Sequence, residues 1–237
     1  MGGIKKEYSY LPNSDKTVLG MVVSVFADIP GISTIVITVP PVQAAAQATL
    51  AAEAAKVAAA ALPSGLLEKS LPKILFTAGG TSRRSSVHNA LSLLAEYKPR
   101  YVLIHDGSRP WVSQELIQRV MESVQYCDAV IPAEQLTGTP KEIELPPGST
   151  FADGIKPVKV MRHLCRSNIV IAQTPQAFAF PQILSAHEKA AEKERQGLYE
   201  YTDDAEVWGE FCGAVTVIPG EAANRKITYP QDLGGIE

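Results

Sequence analysis

The chain has 237 residues, of which 46% are hydrophobic and 20% charged, and its formal net charge is -3 at pH 7. This length suits one α/β domain with a sizeable core, and the slightly acidic balance argues against nucleic acid or a membrane surface as partners. No apolar stretch is long enough to cross a bilayer, and the three widely spaced cysteines match no metal-binding pattern, which predicts incidental thiols in a reducing compartment.

Short runs of β-branched and apolar residues recur along the chain and predict strands. In chain order they cover residues 34–39, 73–76, 101–104, 129–131, 169–171 and 215–218. The runs are almost continuously apolar, as in parallel strands that are covered on both faces. They therefore predict a largely buried sheet.

Segments with helical spacing lie between these runs. The predicted helices are residues 16–27 with Asp15 as N-cap, a segment after Ser85, a segment after Ser113, and a segment from Pro181 to about residue 195. An alanine-rich stretch at residues 44–62 predicts one more helix. The alternation indicates an α/β class with a doubly wound, mostly parallel, Rossmann-like sheet.

Residues 133–165 interrupt this alternation. The stretch contains several prolines and glycines, and its short apolar fragments have no helical period. Long irregular insertions in compact domains usually carry a function or an interaction, so we expect an extended arm or subdomain here. The rest of the chain shows neither an internal repeat nor a linker, which predicts a single domain over residues 1–237.

Polar motifs follow three of the predicted strands. Gly79-Gly80 follows the strand at 73–76, His105-Asp106 the strand at 101–104, and Gln173-Thr174 the strand at 169–171. In doubly wound sheets, ligands bind in a crevice outside the carboxyl ends of the strands. The positions of these motifs therefore predict a ligand site at that edge.

Each motif has a functional and a structural interpretation. Backbone amides around Gly80 and the guanidinium of Arg83 suit an anion, but a Gly-Gly segment is often only a turn. Asp106 is a candidate Mg²⁺ ligand and Arg109 a candidate phosphate clamp; alternatively, the two form an ion pair that closes a turn. An aspartate of the 202–204 stretch also suits a helix N-cap. Neither a dinucleotide fingerprint nor a P-loop is present.

Six short stretches, taken together and in order, are highly specific. They are 79–87 (GGTSRRSSV), 105–110 (HDGSRP), 137–141 (TGTPK), 173–178 (QTPQAF), 202–205 (TDDA) and 224–228 (NRKIT). The chain resembles, over about residues 1–233, the cytidylyltransferases of the non-mevalonate isoprenoid pathway. This resemblance implies a cytoplasmic, Mg²⁺-dependent enzyme whose substrates are CTP and a sugar-alcohol phosphate, 2-C-methyl-D-erythritol 4-phosphate, and whose chemistry is phosphoryl-type transfer.

The resemblance also implies roles for individual residues. Gly80, Ser86 and Arg83 would bind the nucleotide, with Asp106 at the ribose or the metal. Arg109, Thr139, Thr202, Lys226 and, from the neighbouring subunit, Arg166 would bind the acceptor phosphate. Lys6 and Lys226 would be the catalytic lysines, with Lys226 offsetting charge at the reacting phosphorus.

Two segments are interpreted through the same resemblance. Residues 133–165 resemble the family's dimerisation arm, which implies a protruding β-arm and a homodimer with composite active sites. At the N-terminus, Met1-Gly2 corresponds to the end of the family's Gly-rich loop, and the family's first strand, loop glycines and loop arginine have no counterpart in this sequence. The connection at 44–70 is longer than the family's usual one.

Other functions stay open at this point. Ribitol-5-phosphate cytidylyltransferases share much of the motif set, although the 202–205 stretch favours methylerythritol phosphate. A non-catalytic homologue that binds only a nucleotide or a partner is the alternative from a different class, and the unmatched loop favours it. An NAD-dependent oxidoreductase is disfavoured because its fingerprint is missing.

Overall fold

A computed structural model describes residues 6–39, 72–145, 151, 157–197 and 199–233 of the chain. Its helices are α1 (Val18–Ala27), α2 (Arg83–Leu94), α3 (Gln114–Cys127), α4 (Gln182–Arg195) and α5 (Asp204–Phe211). Its strands are β1 (Thr34–Val39), β2 (Lys73–Ala78), β3 (Tyr101–Ile104), β4 (Ala129–Gln135), β5 (Lys141–Ile143), β6 (Val160–His163), β7 (Val170–Ala172), β8 (Gln176–Ala179) and β9 (Thr216–Pro219).

The central strands lie in two sections. In the smaller section, β1 and β2 pair in parallel over six residues each. In the larger section, β8 lies between β3 and β4 and runs antiparallel to both, while β4 also pairs antiparallel with β7 and parallel with β9. The α/β class is confirmed, and the described pairs are mixed in direction, which short apolar runs do not encode.

Helices cover both faces of the larger section. Neighbouring residues of a strand point to opposite faces, and Ala177 packs with the buried side chains of α1 and α3 whereas Phe178 packs with those of α2, α4 and α5. Val130 and Ala129 divide between the same two clusters. This division confirms the doubly wound arrangement.

Side-chain caps set where the helices begin. The Thr17 side chain accepts a hydrogen bond from the amide of Gly20 at 3.0 Å, so α1 begins at Val18 and the predicted cap at Asp15 is wrong. The isolated bridge between Tyr10 and Thr17 keeps the preceding residues outside the helix. Ser113 caps α3. Gln182 follows Pro181 at the start of α4, as predicted.

Other predictions meet different outcomes. β8 was not predicted, because its short sequence QAFA begins with a polar residue, although all four residues are buried. The arm at 133–165 contains the antiparallel pair β5–β6, whose residues are mostly exposed. The predicted helix at 44–62 and the long connection at 44–70 lie outside the described residues. In the described parts of the chain, no helix is long and apolar enough to cross a bilayer.

Candidate active site

Asp106, two residues after the end of β3, is the centre of a charged cluster. Its Oδ2 lies 3.2 Å from Nε of Arg109 and 3.1 Å from Nζ of Lys226, and its Oδ1 lies 4.0 Å from Nε of Arg83. The Asp106 side chain is 15% exposed, whereas those of Arg83 and Lys226 are 32% and 42% exposed. One carboxylate therefore holds three cations together, and two of these cations face the open side.

Three distant stretches of the chain meet at this cluster. Ile227 donates its amide hydrogen to the Ser108 carbonyl at 2.8 Å, and Arg109 donates from Nη1 to the Asn224 carbonyl at 2.8 Å. Lys6 donates from Nζ to the Ile227 carbonyl at 2.6 Å. These bonds bring the two predicted lysines, Lys6 and Lys226, to one edge of the sheet.

The cluster carries an excess of positive charge. Burial raises the pKa of Asp106, but Lys226 and Arg83 oppose this effect and hold the pKa below its ordinary value, so the carboxylate stays ionised. Four cationic side chains, those of Lys6, Arg83, Arg109 and Lys226, share this edge. Such a surplus suits a ligand with several negative charges, such as a phosphate.

An ion pair with a buried carboxylate fixes the position of Arg83. Asp204, the first residue of α5, is fully buried, and its Oδ2 lies 2.6 Å from Nη2 of Arg83. Its Oδ1 lies 3.2 Å from Nε2 of the equally buried His187, although the two atoms are not aligned as a hydrogen bond. Burial raises the pKa of Asp204, and His187 and Arg83 outweigh that effect and lower it. The buried carboxylate of Asp204 thus fixes the orientation of the Arg83 guanidinium.

The turn before α2 brings Gly80 and Ser86, two predicted nucleotide-binding residues, into contact. The Gly80 amide donates to Ser86 Oγ at 3.0 Å, and Ser86 Oγ donates to the Ser82 carbonyl at 2.9 Å. A Cβ atom at Gly80 would lie 2.1 Å from Oγ of Ser85, which caps the helix reciprocally with Ser82. Position 80 therefore requires glycine to keep this turn.

The half-buried His105 and the buried Thr174 form a second polar group beside Asp106. Nε2 of His105 lies 3.3 Å from the Arg109 carbonyl, so this nitrogen carries the proton, and Nδ1 accepts from the Thr174 hydroxyl at 3.0 Å. The Thr174 oxygen accepts in turn from the Asp106 amide at 3.1 Å. Burial lowers the pKa of His105 to about 4, and the ring is neutral at pH 7.

This neutral histidine predicts a pH dependence of stability. Its pKa is about 4 in the folded chain, against an ordinary value near 6.5 in the unfolded chain. Below pH 6.5 the unfolded chain therefore binds a proton that the folded chain refuses, and the free energy of unfolding falls as the pH drops from 6.5 to 4. At 1.36 kcal/mol per unit, the loss is at most about 3 kcal/mol, since part of the ring borders a cavity.

Urea unfolding of the chain and of His105→Asn at several pH values measures this effect. The wild-type curve should fall more steeply than that of the variant between pH 6.5 and 4. Parallel curves would contradict the assignment of His105. The loss from Asp106 and Asp204, whose pKa values are lowered, is expected below about pH 4 and is therefore separable.

Three predicted residues lie outside the cluster. Thr139 and Arg166 are exposed near the base of the arm, where Arg166 donates from Nη1 to the Thr137 carbonyl at 2.8 Å. Thr202 is exposed and donates from both its amide and its hydroxyl to Oε2 of Glu206, at 2.9 and 3.0 Å. Among the described contacts, none joins these three residues to Asp106.

Several supporting residues were not predicted. Asn224 is fully buried and donates from Nδ2 to the Thr174 carbonyl at 2.8 Å, and Nε2 of Gln173 donates to the Glu221 carbonyl at 2.8 Å. These bonds hold the loop that carries Lys226. Both residues belong to the motifs 173–178 and 224–228, and their amide side chains were the sequence signal that could have predicted this supporting role. His187 lies within a helix and gave no such signal.

The cluster offers one carboxylate to a metal ion. Mg²⁺ in proteins often takes one or two carboxylates and completes its shell with water and phosphate oxygens. Asp106 fits such a role, because two of its neighbouring cations face the open side and can move to the phosphates of a ligand. No group of three or more His, Cys, Asp or Glu side chains forms a ready-made metal site in the described part of the chain.

Comparison with known proteins gives a consistent result. The family model described as 2-C-methyl-D-erythritol 4-phosphate cytidylyltransferase matches residues 2–237. The chain is 37% identical over 167 residues to the bifunctional enzyme IspD/IspF of Brucella anthropi, an alignment that covers 70% of this chain and 38% of that enzyme. A similar enzyme from Rhodopseudomonas palustris is 39% identical over 156 residues, 65% of this chain and 35% of that enzyme. The chain thus spans less than two fifths of these relatives.

Solved structures with the same fold include single enzymes of comparable length. The 2-C-methyl-D-erythritol 4-phosphate cytidylyltransferase of Francisella tularensis superimposes with a TM-score of 0.72 at 26% identity, over 97% of this chain and 90% of that one. The 4-diphosphocytidyl-2C-methyl-D-erythritol synthase of Anaerococcus prevotii gives a TM-score of 0.70 at 25% identity, over 92% and 83% of the two chains.

Proposed function

The chain belongs to the 2-C-methyl-D-erythritol 4-phosphate cytidylyltransferase family, and we propose that it transfers CMP from CTP to 2-C-methyl-D-erythritol 4-phosphate in isoprenoid precursor synthesis. The convergence of Arg83, Arg109 and Lys226 on Asp106 at the end of β3 carries this proposal. Phosphoryl-type transfer asks a protein mainly to position phosphates and to neutralise their charge, which preorganised cations do.

The proposed step is a substitution at the α-phosphorus of CTP. A phosphate oxygen of the acceptor forms a bond to this phosphorus while the bond to the bridging oxygen breaks, and pyrophosphate leaves with the electron pair. Lys226 and Arg109 hold the acceptor phosphate, and Lys226 also offsets the negative charge that builds up at phosphorus. Lys6 is hydrogen-bonded to the carbonyl of Ile227, which follows Lys226, and adds a further positive charge to this edge of the sheet.

The nucleotide is proposed to lie along the start of α2. Gly80 keeps the turn packed tightly against Ser85, and Ser86 and Arg83 supply polar atoms for the base beside this turn. Arg83 enters this site already oriented, because Asp204 holds Nη2 and leaves the rest of the guanidinium to the ligand.

Mg²⁺ is the proposed cofactor, and Asp106 would be its protein ligand. When bound with CTP, the ion would neutralise triphosphate charge. The remaining contacts to the phosphates come from the cationic side chains of the cluster.

A homodimer in the cytoplasm completes the proposal. Among the described strands, β5 and β6 pair only with each other, and their exposed outer edges suit pairing with a second copy. Thr139 and Arg166 lie at the base of this arm, where a neighbouring subunit would bring them to a second site.

Pyrophosphate release tests the proposal directly. The chain is incubated with CTP and 2-C-methyl-D-erythritol 4-phosphate, with ribitol 5-phosphate, or with no acceptor, each with Mg²⁺ and with EDTA. We expect pyrophosphate release only in the sample that contains both 2-C-methyl-D-erythritol 4-phosphate and Mg²⁺. Faster turnover with ribitol 5-phosphate would assign ribitol 5-phosphate as the acceptor. If folded protein releases no pyrophosphate in any of the samples, the proposed transferase activity is wrong.

A further inference from the structure

Arg225, the residue before Lys226, stacks on an aromatic ring outside the charged cluster. Its guanidinium carbon lies 4.0 Å from the centroid of the Trp111 ring. A cation within about 6 Å of a ring centroid is attracted by the negative face of the ring, and tryptophan attracts it most strongly. Trp111 belongs to the loop after β3, which also carries Asp106 and Arg109. This contact, which we call the Trp111–Arg225 stack, therefore joins that loop to the loop that carries Lys226.

The segment after Lys226 holds the same arginine from a second side. Arg225 donates from Nη1 to the Asp232 carbonyl at 3.1 Å. Oδ2 of Asp232 in turn accepts the amide hydrogens of Thr228 and Tyr229, each at 2.7 Å. These bonds close the segment into a turn, so the Arg225 side chain lies between an aromatic ring and a fixed carbonyl group.

The residue on the other side of Lys226 is anchored as well. Ile227 is fully buried, and its amide donates to the Ser108 carbonyl at 2.8 Å. Trp111 packs against the apolar cluster that contains Ile227, so one indole contacts the chain on both sides of Lys226. The backbone of Lys226 is therefore fixed by the Trp111–Arg225 stack before it and by the buried isoleucine after it.

A lysine depends on such anchoring more than an arginine does. Its ammonium ion sits at the end of a flexible four-carbon stem, and no planar group orients it. Nζ of Lys226 lies 3.1 Å from Oδ2 of Asp106, although its side chain is 42% exposed. An aromatic ring holds Arg225 without adding a formal negative charge that would compete with Asp106 for this lysine.

We propose that the Trp111–Arg225 stack positions Lys226 against Asp106 and thereby places its ammonium ion for the transfer reaction, so that Trp111 and Arg225 are positioning residues. The role in transfer rests on the proposed function; the position of Lys226 does not. Arg225 acts through the loop, because its guanidinium contacts the ring and the Asp232 carbonyl, and contact with a phosphate is not required of it.

Steady-state kinetics of pyrophosphate release test the role in transfer. Arg225→Met and Trp111→Leu remove the stack, and each should lower kcat about tenfold while the KM for CTP changes by less than twofold. Trp111→Tyr keeps an aromatic face and should retain at least half of the normal kcat. Arg100→Met is the matched control, since Arg100 also lies over a ring, that of Tyr101 at 5.1 Å, but at the opposite end of β3 from Asp106.

The same substitution in a second background separates positioning from other roles. Combined with Lys226→Ala, Arg225→Met should slow turnover by less than a further twofold, because no lysine remains to be positioned. A tenfold loss in both backgrounds would overturn the proposal in favour of a direct phosphate contact or a general loss of structure. Emission from Trp208, the buried one of the chain's two tryptophans, checks that Trp111→Leu is folded.

Acetylation of the chain without substrates tests the position of Lys226 independently of any activity. The rate of acetylation by acetic anhydride at Lys226 is compared by mass spectrometry with the rate at the exposed Lys189 of α4. Contact with Asp106 shields Nζ of Lys226, so Arg225→Met and Trp111→Leu should raise this ratio at least threefold, whereas Arg100→Met should not change it.

The two measurements distinguish failure of this inference from failure of the proposed function. If the unmodified chain releases no pyrophosphate but the acetylation ratio rises in both variants, the transferase is wrong and the positioning of Lys226 stands. An unchanged ratio overturns the positioning even in an active chain. A near-normal kcat in both variants of an active chain overturns the role of the stack in transfer.

Discussion

Replacing Lys226 with alanine is expected to lower turnover about 100-fold while the chain stays folded. Lys226 contacts Asp106 through Nζ at 3.1 Å, yet its side chain is 42% exposed, so it supports little of the core. A charge-assisted contact to a phosphate is worth about 1.5–3 kcal/mol, and a contact of this strength at the reacting phosphorus lowers turnover by one to two orders of magnitude when it is removed. Initial rates of pyrophosphate release give the measurement.

Lys189→Ala is the matched control, since Lys189 is an exposed lysine of α4 away from the described contacts of the cluster. Its turnover should equal that of the unmodified chain. Arg109→Ala should also be slow, but it removes a largely buried side chain that bonds to the Asn224 carbonyl, so some loss of stability is expected as well. Near-normal rates for Lys226→Ala would remove this lysine from the proposed mechanism.

Asp204→Asn is expected to lower the free energy of unfolding by about 2–3 kcal/mol. The substitution keeps the shape of the side chain but removes its negative charge, and it leaves Arg83 and His187 beside a neutral amide in a fully buried position. The loss stays below that of a fully buried ion pair, because the Arg83 side chain is 32% exposed and also lies near Asp106. Thermal unfolding should shift down by about 7 °C for a chain of this size.

The neighbouring aspartate provides the control. Asp203 is the N-cap of α5 and accepts from the Glu206 amide at 2.9 Å through Oδ1. Asparagine caps helices about as well as aspartate, so Asp203→Asn should change the stability by less than about 1 kcal/mol. If both variants lose the same free energy of unfolding, Asp204 acts only as an ordinary polar residue at the start of a helix.

Sequence patterns predicted the strands well where the pattern was local. The boundaries of β1 and β3 agree with the apolar runs at 34–39 and 101–104. β8 escaped prediction, since its burial comes from lying between β3 and β4, which are distant in sequence. Strand direction was equally hidden, because hydrophobic spacing has the same period in parallel and antiparallel pairs.

The sequence likewise predicted the residues of the candidate site that lie in local motifs, but not their distant partners. Motifs at strand ends pointed to Asp106 and Arg109, and the family resemblance added Lys226; the structure brings all three together. Asp204 was interpreted only as one candidate for a helix cap, because its contact with Arg83 joins residues 121 positions apart. Such partners depend on how α2 and α5 pack, and that information is not contained in either local sequence.

The contact between Lys6 and the Ile227 carbonyl has a consequence for how the chain is made. It joins residues 221 positions apart, and Ile227 also donates to Ser108. On a translating ribosome, the turn before α2 and the loop after β3 emerge long before the loop that carries Lys226. A nascent chain therefore contains Asp106 and Arg109 well before Lys226, so the charged cluster can form only after all the described strands, β1 to β9, have been made.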